Sequence, residues 1–151
     1  MPLFWVAFGI AMVPAGRWVA RAGTHRLLAA GGILSAVGAW VAGDAGSLEQ
    51  VVAGQLAAGA GWGVIMMGAF TRATEAGRSG REGLSLGLLF AALACAALSR
   101  LAAAAAGLPK MPEWQGYFAY APVVLWIFAA MLFVVAASRG DGRDAVTPAK
   151  A

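Results

Sequence analysis

The Lys and Arg residues of this chain lie in the gaps between long apolar stretches, and almost all of them occupy alternate gaps. The apolar stretches cover 3–15, 27–43, 51–70, 84–106 and 117–138. Arg17, Arg21, Arg26, Arg72, Arg78, Arg81, Arg139, Arg143 and Lys150 follow the first, third and fifth stretches, whereas the other side has only Arg100, near the end of the fourth stretch, and Lys110 after it. This bias orients spanning helices, because short basic loops stay on the cytoplasmic side. It predicts an integral membrane protein: an all-α, polytopic bundle of about five transmembrane helices, with its C-terminus inside. Residues 1–138 are the expected transmembrane domain, and 139–151 a Gly/Asp/Arg/Pro-rich, disordered cytoplasmic tail.

Composition points the same way. Hydrophobic residues make up 61% of the chain and charged residues 12%, where soluble domains carry about a quarter charged. A chain this apolar has too little polar surface to face water. The net charge of +4 does not indicate nucleic acid, because the cations lie in short loops and not along one face. There they orient helices and meet anionic headgroups of the lipid bilayer, the one partner the composition names. The N-terminus is not a secretory leader, since the first positive charge, Arg17, follows the apolar run.

Crossing about 30 Å of hydrocarbon takes about 20 helical residues. The third, fourth and fifth stretches meet that length, and 27–43 is near its lower limit. The first stretch, Pro2 to Ala15, gives only about 21 Å at 1.5 Å per residue. It reads as a spanning helix cut short, and so as a piece of a larger protein. Ser47 is the expected N-cap of the third helix, with Gln50 completing a capping box. Pro109 and Pro112 end the fourth helix. Trp114, Tyr117 and Tyr120 form an aromatic belt at the outer headgroups.

Glycine marks where helices approach. The third stretch holds Gly54, Gly59, Gly61, Gly63 and Gly68. Gly59/Gly63 and Gly83/Gly87 are small residues four apart, the spacing that lets helix backbones pack closely in lipid. The second, third and fourth helices are therefore expected to be the packed ones. The fifth has no Gly between Tyr117 and Ser138 and is expected at the periphery. The run from Ala58 to Gly63 lacks the spacing and flanking elements of a phosphate loop and reads as helix packing.

No catalytic constellation is present in the sequence. All seven acids, Asp44, Glu49, Glu75, Glu82, Glu113, Asp141 and Asp144, lie in loops, at helix ends or in the tail. Cys95 is the sole cysteine and His25 the sole histidine, in different segments. No enzyme activity, cofactor or metal is expected. The residues placed to line a substrate cavity are Gln55, Trp62, Met66 and Arg100. Arg100, about one and a half turns before the fourth helix ends, reads first as a side chain snorkelling to the outer surface. Arg72 and Glu75, three apart, can pair at the inner end of the third helix.

One segment is more specific. Gly16-Arg17-Trp18-Val19-Ala20-Arg21-Ala22-Gly23-Thr24-His25-Arg26-Leu27-Leu28 resembles the cytoplasmic signature loop of the major facilitator superfamily. Gly16, Arg21, Gly23 and Leu28 match in register. Ala20 replaces the acid, Thr24 and His25 stand where the basic pair belongs, and Arg26 comes just after. The resemblance implies that the five stretches correspond to helices eight to twelve of a secondary transporter working by alternating access. It implies a partner N-terminal half, a central cavity lined by the third and fourth stretches, and a fifth facing lipid. It gives Gly16, Arg17, Arg21, Gly23 and Arg26 the role of a gating loop. The Ala/Gly/Arg-rich composition fits a GC-rich bacterial genome and hence an inner membrane. The alternative is a small, non-transporting membrane scaffold or subunit. The short first stretch separates the two, because a self-contained protein needs a full-length first helix.

Overall fold

A computed structural model describes residues 2–77 and 80–144, with Ala20 and the last six as backbone only. The described residues form five α-helices, α1 (Pro2–Ala22), α2 (Thr24–Gly43), α3 (Leu48–Ala76), α4 (Glu82–Ala105) and α5 (Pro112–Asp144), with a 3-10 turn at Leu108–Lys110. All five are long and apolar enough to cross a membrane. Mean hydropathy rises from 1.3 over Pro2–Val19 of α1 to 2.4 over Pro112–Ser138 of α5. A helix satisfies its own backbone polar groups, which hydrocarbon will not.

Two elements run further than apolar counting predicts. α1 holds 21 residues, about 31 Å, and so is a full-length spanning helix and not the short one expected. Arg17 and Arg21 belong to its last two turns. Their long stems carry the charge outward while the backbone stays helical. α5 likewise continues through Asp144, into residues the sequence reading assigns to the tail. Extending a formed helix costs little per residue, and the first proline after Pro122 is Pro148. Residues 145–151 of that tail, with Arg78 and Lys150, lie outside the described residues.

The ends are set by local chemistry. Ser47 caps α3 as expected: its Oγ accepts from the Gln50 N–H at 3.3 Å. Gln50 Oε1 accepts in return from the Gly46 N–H at 2.7 Å, one residue before the cap. α4 closes on Gly107 in the left-handed region, φ 71°, whose N–H donates to Ala104 O at 3.0 Å. Glycine pays no Cβ penalty there. Pro112 then starts α5, where its missing N–H is not needed.

α3 is the hub of the bundle. It packs along α2 and α1 and more sparsely on α4, while α5 packs on α2. α2 and α3 run antiparallel, with Gly31 against Gly61 and Gly38 against Gly54. α1 and α3 run parallel, with Gly59 on Phe4 and Gly63 on Phe8. α5 runs antiparallel to α2, since Gly32 meets Ala130 and Gly43 lies nearest Ala119. The C-termini of α1, α3 and α5 and the N-termini of α2 and α4 therefore share one end, the basic one.

Packing follows residue size. A Cβ on Gly54 would stand 2.7 Å from Gly38 O, and one on Gly61 2.7 Å from Gly31 O. Gly54, Gly61 and Gly68 are seven apart, so all face α2. Without a hydrophobic drive between helices in lipid, this backbone approach supplies the van der Waals contact that holds them together. α5 is peripheral as expected, exposing Val124, Leu125, Phe128 and Leu132. α4 departs from expectation. It has no buried residue, and a Cβ on Gly83 or Gly87 would meet nothing within 4 Å. The close packing expected of that pair is not formed among the described residues. Its four-residue spacing provides a smooth face but supplies no partner for it.

Candidate functional site

The most structured polar region is the basic end, where α1 hands over to α2. The segment expected as a loop is almost entirely helical, and only Gly23 interrupts it. Gly23 has φ 82°, a conformation strained for any residue with a Cβ. Hydrogen bonding continues through it: its N–H donates to Val19 O at 3.1 Å, and its O accepts from the Leu27 N–H at 3.2 Å. The chain therefore changes direction over one residue without stranding backbone groups. Gly16 does not form the turn. It lies within α1, where a Cβ would stand 3.0 Å from the Met67 methyl of α3.

Just past this junction, His25 sits in the first turn of α2 and Arg72 near the end of α3. Arg72 Nη2 is 3.2 Å from His25 Nε2, and Arg72 Nη1 donates to Glu75 Oε2 at 3.0 Å. The Arg72–Glu75 pair matches the sequence expectation. With side chains 49% and 43% exposed, it adds little stability of its own. Arg17, Arg21 and Arg26 are exposed at the same end, so cations outnumber acids among the described side chains there. Gly16, Arg17, Arg21, Gly23 and Arg26 thus gather at one end of the bundle. The His25 contact was not legible from spacing, since the two residues are 47 positions apart. The only signal was a histidine among basic residues.

Of the four residues expected to line a cavity, Gln55, Trp62 and Met66 share one face of α3 at seven- and four-residue spacing, and Arg100 is on α4. Met66 is buried in α3, Gln55 and Trp62 are half-buried on the same helix, and Arg100 is exposed on α4. Trp62 makes an edge contact with Trp126 of α5, ring centroids 5.2 Å apart. This ties α3 to α5 across the edge of α2. A groove lies elsewhere, between α2 and α5. It is an open apolar trough of about 680 Å³ lined by Ile33, Val37, Trp40, Ile127 and Met131 among others.

One further group escaped the sequence reading. Ser35 is fully buried in the α2–α3 seam, and its Oγ has no hydrogen-bond partner among the described residues. It lies against Gly61. Among the described residues no group of three or more His, Cys, Asp or Glu could hold a metal ion. Cys95 is exposed on α4. Comparison with known proteins finds no matching family, relative or solved structure. The five apolar helices mark the chain as a membrane protein.

Proposed function

We propose that this chain forms part of a secondary transporter of the major facilitator type, moving an unidentified small solute across a bacterial inner membrane by alternating access. The observation that carries the reading is the junction at Gly23. The segment that resembles the family's signature joins the end of α1 to the start of α2 at the basic end, with Gly23 as its turn. His25, where the basic pair belongs, bonds to α3. A polar tie between helices at one membrane face can hold that face closed in one state of the cycle. The basic end is cytoplasmic on this reading, and the open face of α4 receives the remainder of the transporter.

The test begins with the reading frame upstream of the Met1 codon. On this reading it stays open and encodes about seven further apolar segments, completing two six-helix halves. The joined product, reconstituted in vesicles and screened with a panel of labelled solutes, then takes up at least one of them. Arg21→Ala lowers the uptake rate. A stop codon directly upstream would overturn the proposal in this form.

A second reading, a small non-transporting scaffold or subunit, is favoured by one observation. α1 has the full 21 residues of a spanning helix, which is what a self-contained bundle needs.

A further inference from the structure

The hydrogen bond between α2 and α3 at the basic end is sensitive to charge in a way that the rest of their seam is not. Arginine carries only donors and stays protonated at all accessible pH. In the contact of Arg72 Nη2 with His25 Nε2 at 3.2 Å, the imidazole nitrogen must therefore supply the lone pair. The bonded imidazole is neutral, with its proton on Nδ1. An imidazolium has an N–H on both nitrogens, so protonation would set donor against donor and cation against cation. Imidazole is the unperturbed side chain that changes charge between about pH 5 and 8.

The charges around the pair set the effect of protonation. Arg72 is held on its own helix by Glu75 at 3.0 Å, so the guanidinium is anchored when the histidine leaves. α1 brings Arg21 to this end in its last turn. Arg26 follows His25 on α2 itself, and α3 supplies Arg72 and Glu75. α5 also packs on α2, and its charges past Ser138 belong to side chains outside the described set. A proton on Nε2 would point at the Arg72 guanidinium 3.2 Å away, and the acid bonded to that guanidinium is Glu75. The adjoining Gly23 has φ 82°, and a Cβ there would meet nothing within 4 Å, so the junction has room to turn. Further along the seam the contacts are of small residues, Gly31 on Gly61 and Gly38 on Gly54, which do not titrate.

We propose that His25 and Arg72 form a proton-operated latch: neutral His25 ties the first turn of α2 to the last turns of α3, and protonation releases it. The latch belongs to the α2–α3 junction and stands whether or not the chain takes part in transport.

The experiment uses the full chain in lipid nanodiscs, with Cys95→Ala as background and spin labels on Ala30→Cys and Ala76→Cys, both exposed positions. Pulsed-dipolar distances are recorded at pH 8 and pH 5. The expected result is one narrow distance at pH 8 and an added longer-distance population at pH 5. His25→Gln keeps an acceptor for Arg72 and does not titrate, so it holds the pH 8 distance at both values. Arg72→Gln removes the cation, so the pH-driven shift is lost. Identical distributions at both pH values in the parent would overturn the latch, as would an equal shift in His25→Gln. The parent comparison needs no variant at the latch itself.

Discussion

At the residue scale, two glycine pairs of the same spacing behave differently. Gly59 and Gly63 are buried against α1, whereas Gly83 and Gly87 face open space. Spacing tells which residues share a helix face but not what the face meets. The same contrast governs substitution. A Cβ on Gly54 would lie 2.6 Å from Ala42 N and 2.7 Å from Gly38 O, both backbone atoms that cannot rotate away. Gly54→Ala is therefore expected to destabilise the bundle by about 1–3 kcal/mol, while Gly87→Ala stays within about 0.5 kcal/mol of the parent. Denaturant titration in detergent, followed by circular dichroism, separates the two. Ser35 gives the opposite sign. Its Oγ is buried without a partner among the described residues, and such a group costs about 1–3 kcal/mol. Ser35→Ala removes that cost and leaves almost the same volume. It is expected to match or exceed the parent in the same titration; a loss above about 1 kcal/mol would reveal a hydrogen bond that the hydroxyl makes.

At the element scale, boundaries were legible where short-range chemistry sets them. The Ser47 cap and the break before Pro109 follow from side-chain donors, acceptors and missing N–H groups within a few residues. Boundaries were misread where charge served as the marker. Arg17 and Arg21 look like a loop in sequence, yet they extend α1, because long cationic side chains reach the headgroups from a helical backbone. The one break in that segment is Gly23. Gly23→Ala forces a Cβ into a conformation, φ 82° and ψ 147°, that essentially only glycine adopts, at a cost of about 1–3 kcal/mol. The expected outcome is a lower unfolding midpoint with helix content unchanged, read by circular dichroism in the same detergent. A midpoint equal to the parent's would mean that the junction straightens freely.

At the scale of the whole molecule, the alternation of basic gaps and the antiparallel packing of α2 against α3 and α5 agree. Both put the α1–α2 junction and the α3–α4 turn at one end, and the Gly43–Ser47 turn at the other. On the proposed orientation, with the basic end cytoplasmic, Gly46→Cys in a Cys95→Ala background is expected to be labelled by an impermeant maleimide on intact cells. Arg81→Cys is labelled only after permeabilisation. The reverse pattern would invert the orientation argued from charge. The candidate site was half legible at this scale. Gly16, Arg17, Arg21, Gly23 and Arg26 do gather at one end, because they are neighbours in sequence. Gln55, Trp62 and Met66 share one face of α3, because residues seven and four apart fall on the same side of a helix, while Arg100 is exposed on α4.

The sequence by itself determined the solvent, the number of spans and their alternating direction. These depend on apolar length and on the side of the bilayer where each cation sits, which are sums over local residues. The tertiary structure alone decided that Gly54, Gly61 and Gly68 lie on α2, that α4 stands almost unpacked, and that Arg72 reaches His25. In lipid every helix is apolar all round, so hydrophobic periodicity no longer marks an inward face. Partner choice then rests on the fit of one backbone against another, which belongs to pairs of helices and is written in neither one alone.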